Sequence, residues 1–172
     1  MNSSEPPVPS SSDPVGSRPV LPSGIEAGLL GGAAVAIIFL VRDLLAGTPM
    51  QTPSVLGTLM LQGPEAARTV TSAAGAAIAY NAVHFAAWVL AGSFGIVLMR
   101  QVEASASNWY RPWVAVCLLT AGCMLASARA SAAGLPRMHL WLGTLAGIAA
   151  MGWFLGWCHP RAMRRIRQMG VE

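Results

Sequence analysis

Residues 73–99 form a run without a carboxylate, lysine or arginine. As a helix rising about 1.5 Å per residue, that run is long enough to cross a bilayer core of about 30 Å. Three further apolar stretches accompany it, at residues 24–41, 112–128 and 139–158. The economical fold is therefore an all-α integral membrane four-helix bundle, with spans expected over 24–46, 73–100, 112–129 and 139–158. Composition agrees: 54% of residues are hydrophobic and 10% charged, whereas a soluble domain carries about a quarter charged residues. Four spans within 172 residues leave no segment for a separate globular core, so one domain is expected.

The net charge of +4 arises from eleven arginines against seven carboxylates, with no lysine. The missing lysine reads as a coding bias toward GC-rich DNA, and no nucleic-acid partner is expected. Cys117 and Cys123 lie six residues apart in the third span, about 240° around a helix axis, so they share no face. Cys158 closes the fourth span. None of the three falls in a CxxC pair or a metal-ligand spacing, and all read as small buried hydrophobes.

Residues 1–23 hold six of the twelve prolines and seven serines, a composition that predicts a disordered tail. Glu5 and Asp13 stand where a signal peptide would be basic, and Arg42 and Asp43 follow the first apolar run, so the first helix should be retained. Positive residues collect on the cytoplasmic side of a membrane. With the N-terminus inside, Arg18, Arg100, Arg111, Arg161, Arg164, Arg165 and Arg167 lie inside, and Arg42, Arg68, Arg129 and Arg137 outside. Seven against four places both termini in the cytoplasm of a bacterial inner membrane. The basic tail over 159–172 is expected to rest on anionic headgroups, each arginine there worth about 1 kcal/mol.

Small residues recur every fourth position: Gly24, Gly28, Gly32 and Ala36 in the first span, Gly143 with Gly147 and Gly152 with Gly156 in the fourth, and Ala87, Ala91 and Gly95 in the second. In lipid, where little hydrophobic drive acts between helices, such faces let backbones approach closely. They serve either packing within one bundle or docking of a partner subunit or second copy.

The connection over 42–72 is too long for a turn. Thr52 reads as an N-cap with Pro53 at the first helical position. In the helix that follows, Val55, Leu56, Leu59 and Met60 share one side, and Ser54, Thr58 and Gln62 fall elsewhere. That pattern suggests a short interfacial helix on the outer membrane surface, ended by Gly63 and Pro64.

The pattern Asp43-Leu44-x-x-Gly47-x-Pro49-x-x-Thr52-Pro53-x-x-Leu56-Gly57, followed by Tyr80-x-x-x-His84-Phe85, resembles a group of small four-helix bacterial integral membrane proteins. The resemblance covers about residues 24–99. It implies the same topology and transfers no activity.

Polar groups inside the membrane are the remaining functional candidates, since an ionisable group there is costly and usually has a partner or a task. Tyr80, Asn81, His84 and Trp88 form one stripe on the second span. Counted from residue 73, Tyr80 and Asn81 lie about 10 to 12 Å deep and His84 about 16 Å, with Asp43 shallower. A hydrogen-bonded cluster of Asp43, Tyr80, Asn81 and His84 is expected, with Arg42 snorkelling outward. Such a cluster either fixes helix register, at about 0.6 kcal/mol per contact, or lets Asp43 and His84 carry a proton or small solute.

Haem ligation is disfavoured by depth. His139 starts the fourth span, His84 lies near mid-membrane and His159 at the inner surface, and two ligands each about 2 Å from a metal cannot bridge about 15 Å. No HExxH, GxSxG or clustered acidic motif is present. The sequence thus points to a non-catalytic accessory or structural membrane component with no cofactor or metal, its neighbours the lipid bilayer and a partner subunit or second copy. A small oligomeric channel or transporter is the alternative.

Overall fold

A computed structural model describes residues 20–169. Seven α-helices follow in order, α1 (Val20–Leu45), α2 (Gln51–Gln62), α3 (Pro64–Thr69), α4 (Ala74–Ala104), α5 (Arg111–Ala132), α6 (Arg137–Cys158) and α7 (Pro160–Met169), with one 3-10 turn at Ala106–Asn108 and no strand among the described residues. Four of them, α1, α4, α5 and α6, are long and apolar enough to cross a membrane. The chain is a multi-pass membrane protein with an all-α bundle.

The expected spans are found, extended at several ends by polar residues that the hydropathy run excluded. Val20–Ser23 are the opening turn of α1, where Pro22 loses no helical hydrogen bond because first-turn N–H groups have no helical acceptor. The expected disordered tail is thus shortened at that end, and its residues 1–19 lie outside the described part. Pro53, Pro64, Pro112 and Pro160 also stand in first turns. The 31 residues of α4 extend about 46 Å, well beyond a hydrocarbon core.

Packing centres on α1, which lies against both α4 and α6. A Cβ placed at Gly24 would come within 2.6 Å of Ser93 Cα, one at Gly28 would strike the backbone of Trp88 and Val89, and one at Gly92 would strike Gly24 O at 2.5 Å. Here the two backbones touch. Gly31 and Gly147 leave the space taken by the Trp88 ring, and Gly143 faces Phe39. The glycine face of the first span and the Gly143–Gly147 pair of the fourth are therefore consumed inside the bundle. On α4 the contact with α1 runs through Trp88 and Gly92, whereas Gly95 faces Leu155 of α6 and Gly152 faces open space.

Helix α5 is the peripheral member. Only 6% of its most apolar stretch is buried, against 39% for α1, and Leu118, Leu125 and Trp113 are exposed. At one end of the bundle α7 folds back beneath α4 and α6, with Ala162 and Ile166 buried. Arg165 Nη1 donates to Val102 O at 2.9 Å and Glu103 O at 2.7 Å, satisfying last-turn carbonyls of α4. The basic tail is thus docked on the protein along its apolar side, with Arg161, Arg164 and Arg167 exposed.

Replacing Gly28 by alanine is expected to lower stability by about 1 to 3 kcal/mol through overpacking. The same change at Gly122 on α5, which faces open space, should be neutral or stabilising by up to about 1 kcal/mol. Unfolding midpoints of the two variants in mild detergent check the contrast.

Candidate functional site

The polar residues gather at the other end of the bundle, where α1 hands over to α2. The chain turns through Gly47 and Met50, with φ of 69° and 68°, and Thr48 N donates to Asp43 O at 2.9 Å. This turn brings the first N–H groups of α2 over the last turn of α1. Asp43, fully buried, accepts from Thr52 N at 2.6 Å through Oδ2 and from Thr52 Oγ1 at 2.6 Å through Oδ1. Arg42 Nη1 adds a third bond to Oδ1 at 2.8 Å. A carboxylate placed against free N–H groups at a helix start also meets the positive end of the helix dipole.

One expectation is corrected by this arrangement. Thr52 is not the N-cap: α2 begins at Gln51 after Met50, and the capping oxygen comes from Asp43, nine residues earlier. Arg42 pairs with Asp43, and its Nη1 lies 3.5 Å from Thr52 Oγ1 at the start of α2. The short helix of the first loop is present, and its inward side is mixed: Thr52, Ser54 and Thr58 are buried together with Pro53, Val55 and Gly57, and Leu56 and Leu59 pack against the core. Ser54 Oγ accepts from Ala73 N at 3.2 Å, tying α2 to the start of α4. Gly57 lies directly on Ala76 of α4, where a Cβ would strike the Ala76 carbonyl. Thr52 and Ser54 find partners on that side, whereas the buried Thr58 Oγ1 has none among the described residues.

One turn deeper, His84 bridges α4 to α1. Its Nε2 lies 3.2 Å from Gly32 O, and since a carbonyl only accepts, Nε2 carries the proton. Nδ1 then accepts from Tyr80 Oη at 3.3 Å. The Tyr80 ring stacks on the imidazole at 5.3 Å between centroids, and Phe85 meets it edge-on at 5.5 Å. Both imidazole nitrogens are engaged.

The four residues expected to form one hydrogen-bonded cluster are brought together differently. Asp43, Tyr80, Asn81 and His84 all line a cavity of about 140 Å³ between α1, α2 and α4. Asp43 bonds to Thr52 and Arg42, while Tyr80 pairs with His84. The reason is competition: the amide and hydroxyl of Thr52 reach Asp43 first. A larger cavity of about 260 Å³ lies on the other side of Tyr80 and His84. Val35, Trp88, Leu119, Cys123 and Thr144 are among its walls, so α1, α4, α5 and α6 all contribute to it.

Sequence reasoning missed three participants. Ser54 and Arg165 act on backbone groups at helix ends, and no motif marks such partners in advance. Glu26 is different, since it stands as a carboxylate inside the first apolar run and is exposed on α1. His139, in the first turn of α6, and His159, 3.1 Å from Glu103 Oε1 at the α7 end, are separate from His84. Compared with known proteins, the chain matches no family model, no curated protein and no solved structure. Its class is therefore read from the fold, a small multi-pass membrane protein whose polar groups meet where α1, α2 and α4 converge.

Replacing Asp43 by alanine is expected to cost about 2 to 3 kcal/mol, because it removes charge-assisted bonds and strands the Thr52 amide. Asparagine, which still accepts through Oδ1, should lose less. Thermal unfolding of both variants in detergent reads the difference.

Proposed function

We propose that the protein is a non-catalytic accessory or structural component of a membrane assembly in the bacterial inner membrane, with both termini in the cytoplasm. The observation that carries this reading is the commitment of the intramembrane polar groups to the chain itself. The two oxygens of Asp43 take three hydrogen bonds and both nitrogens of His84 are occupied. Groups so engaged hold α1, α2 and α4 in register, which is what a scaffold needs from them. The orientation is supported by the arginines. Among the described residues, Arg100, Arg111, Arg161, Arg164, Arg165 and Arg167 stand toward the α7 end and Arg42, Arg68, Arg129 and Arg137 toward the α2 end, an excess in the direction of the positive-inside rule. Arg161, Arg164 and Arg167, exposed at the α7 end, also suit anionic headgroups.

A second reading, a small channel or transporter for protons or a small solute, is favoured by one feature: the two cavities share Tyr80, His84 and Phe39 as a common partition. In that reading His84 and Asp43 line the path.

Purified protein in vesicles loaded with a pH-sensitive dye separates the two. The accessory reading expects proton flux no greater than that of empty vesicles, and expects Asp43→Ala and His84→Ala to lower the unfolding temperature. Flux that disappears in His84→Ala while the unfolding temperature is unchanged would replace it with the transport reading.

A further inference from the structure

The cavity of about 260 Å³ between α1, α4, α5 and α6 is space that the helix contacts around it do not consume. Ala87 and Ala91 of α4 and Ala126 and Ala130 of α5 line it, each pair four residues apart and so on one face of its helix. Elsewhere in the bundle small residues bring backbones into contact, as Gly28 does on Trp88 and Val89. Here they border a void. The rest of the wall is largely apolar, with Val35, Phe39, Trp88, Leu119 and Leu140. Filled with water at about 30 Å³ each, the void would take about nine molecules, each needing two to four polar partners, far more than such walls supply. A cavity of about 150 Å³ takes benzene, so this one has room for a ring with about four further non-hydrogen atoms.

The hydroxyls on the wall set the sense of any hydrogen bond to a guest. Tyr80 gives its proton to His84 Nδ1, because Nε2 donates to Gly32 O, and Ser127 gives its proton to Met124 O at 2.8 Å. Each oxygen therefore keeps lone pairs for a guest and no proton. Cys123 lies close enough to Tyr80 to interact with it electrostatically and shares a hydrogen bond with Thr144, so α4, α5 and α6 together make one polar patch in an apolar wall. An acyl chain offers Tyr80 and Ser127 nothing, a ketone or ether offers them a second acceptor, and a hydroxyl offers the missing donor.

We propose that this cavity binds a membrane-dissolved alcohol or phenol built on one substituted ring, of about ten non-hydrogen atoms, with its O–H donating to Tyr80 Oη and its hydrocarbon lying against Trp88, Leu119 and Leu140. Volume sets the size of the guest, the apolar walls set its hydrocarbon character, and the spent protons of Tyr80 and Ser127 set its single donor. The inference goes beyond the accessory reading, which gives the cavity no occupant, and does not require that the guest be carried across the membrane.

Binding of tritiated thymol, a phenol of this size, to the full chain in detergent micelles tests it by scintillation proximity, with unlabelled thymol and p-cymene, the same hydrocarbon without the hydroxyl, as competitors. The wild type should show a saturable component, from which thymol displaces the label at about three- to tenfold lower concentration than p-cymene, the effect of one hydrogen bond. Tyr80→Phe, which keeps the ring and removes the acceptor, should weaken thymol to the level of p-cymene and leave the competition by p-cymene unchanged. Ala91→Phe, which places a ring in the void, should remove the saturable component without lowering the unfolding temperature. Absence of a saturable component in the wild type, equal displacement by the two competitors, which marks a cavity for any hydrocarbon including an acyl chain, equal losses of both in Tyr80→Phe, or undiminished binding in Ala91→Phe would each overturn the proposal.

Discussion

The bundle depends on the contact between the backbones of α1 and α4. Gly24 and Gly28 lie on Trp88, Gly92 and Ser93 so closely that no side chain fits between them. In a membrane the apolar surface gains little by leaving lipid, so association rests on van der Waals contact, which falls off within an ångström of the optimum. The Trp88 ring extends that contact to α6 by filling the space above Gly31 and Gly147. One aromatic side chain thus touches glycines of two other helices, and the positions of α1, α4 and α6 are fixed together.

Upon this frame the polar groups act as fasteners at the ends of helices. Asp43 holds the start of α2, Ser54 holds the start of α4, and Arg165 holds the end of α4. Each answers the same constraint, that N–H and C=O groups at a helix terminus have no partner within the helix and none in hydrocarbon. His84 is the exception, fastening the middle of α4 to a carbonyl of α1. Helix α2 lies with its threonines and serine toward protein and with Met60 and Leu61 exposed.

Much of the fold could be read from the sequence because hydropathy and helix length are local properties. The four spans, the first-loop helix and its end at Gly63 and Pro64 all follow from residues near one another in the chain. The glycine spacing of α1 and the Gly143–Gly147 pair of α6 marked faces that pack, whereas Gly152 faces open space. Partner choice was less legible. Asp43 was expected to reach Tyr80 or Asn81 because depth was the only coordinate available, and depth does not show that the turn at Gly47 and Met50 swings the Thr52 amide onto the carboxylate. The mixed inward face of α2 was obscured for a similar reason: its apolar side was assigned to lipid before its neighbour on α4 was known. Glu26 was hidden by the averaging that makes hydropathy useful, since one carboxylate barely lowers the mean of a long apolar run.

Helix α5 has a bearing on how the interior is enclosed. It supplies Leu119, Cys123 and Ser127 to the wall of the large cavity, yet contributes a single buried residue, Ala130, to the packed core. The other three walls meet at glycines, backbone on backbone between α1 and α4 and through the Trp88 and Phe39 rings at α6, whereas Gly122 of α5 faces open space. Of the four helices around that cavity α5 is thus held by the fewest buried side chains, so the void it shares with α1, α4 and α6 is bounded on that side by the loosest packing in the bundle.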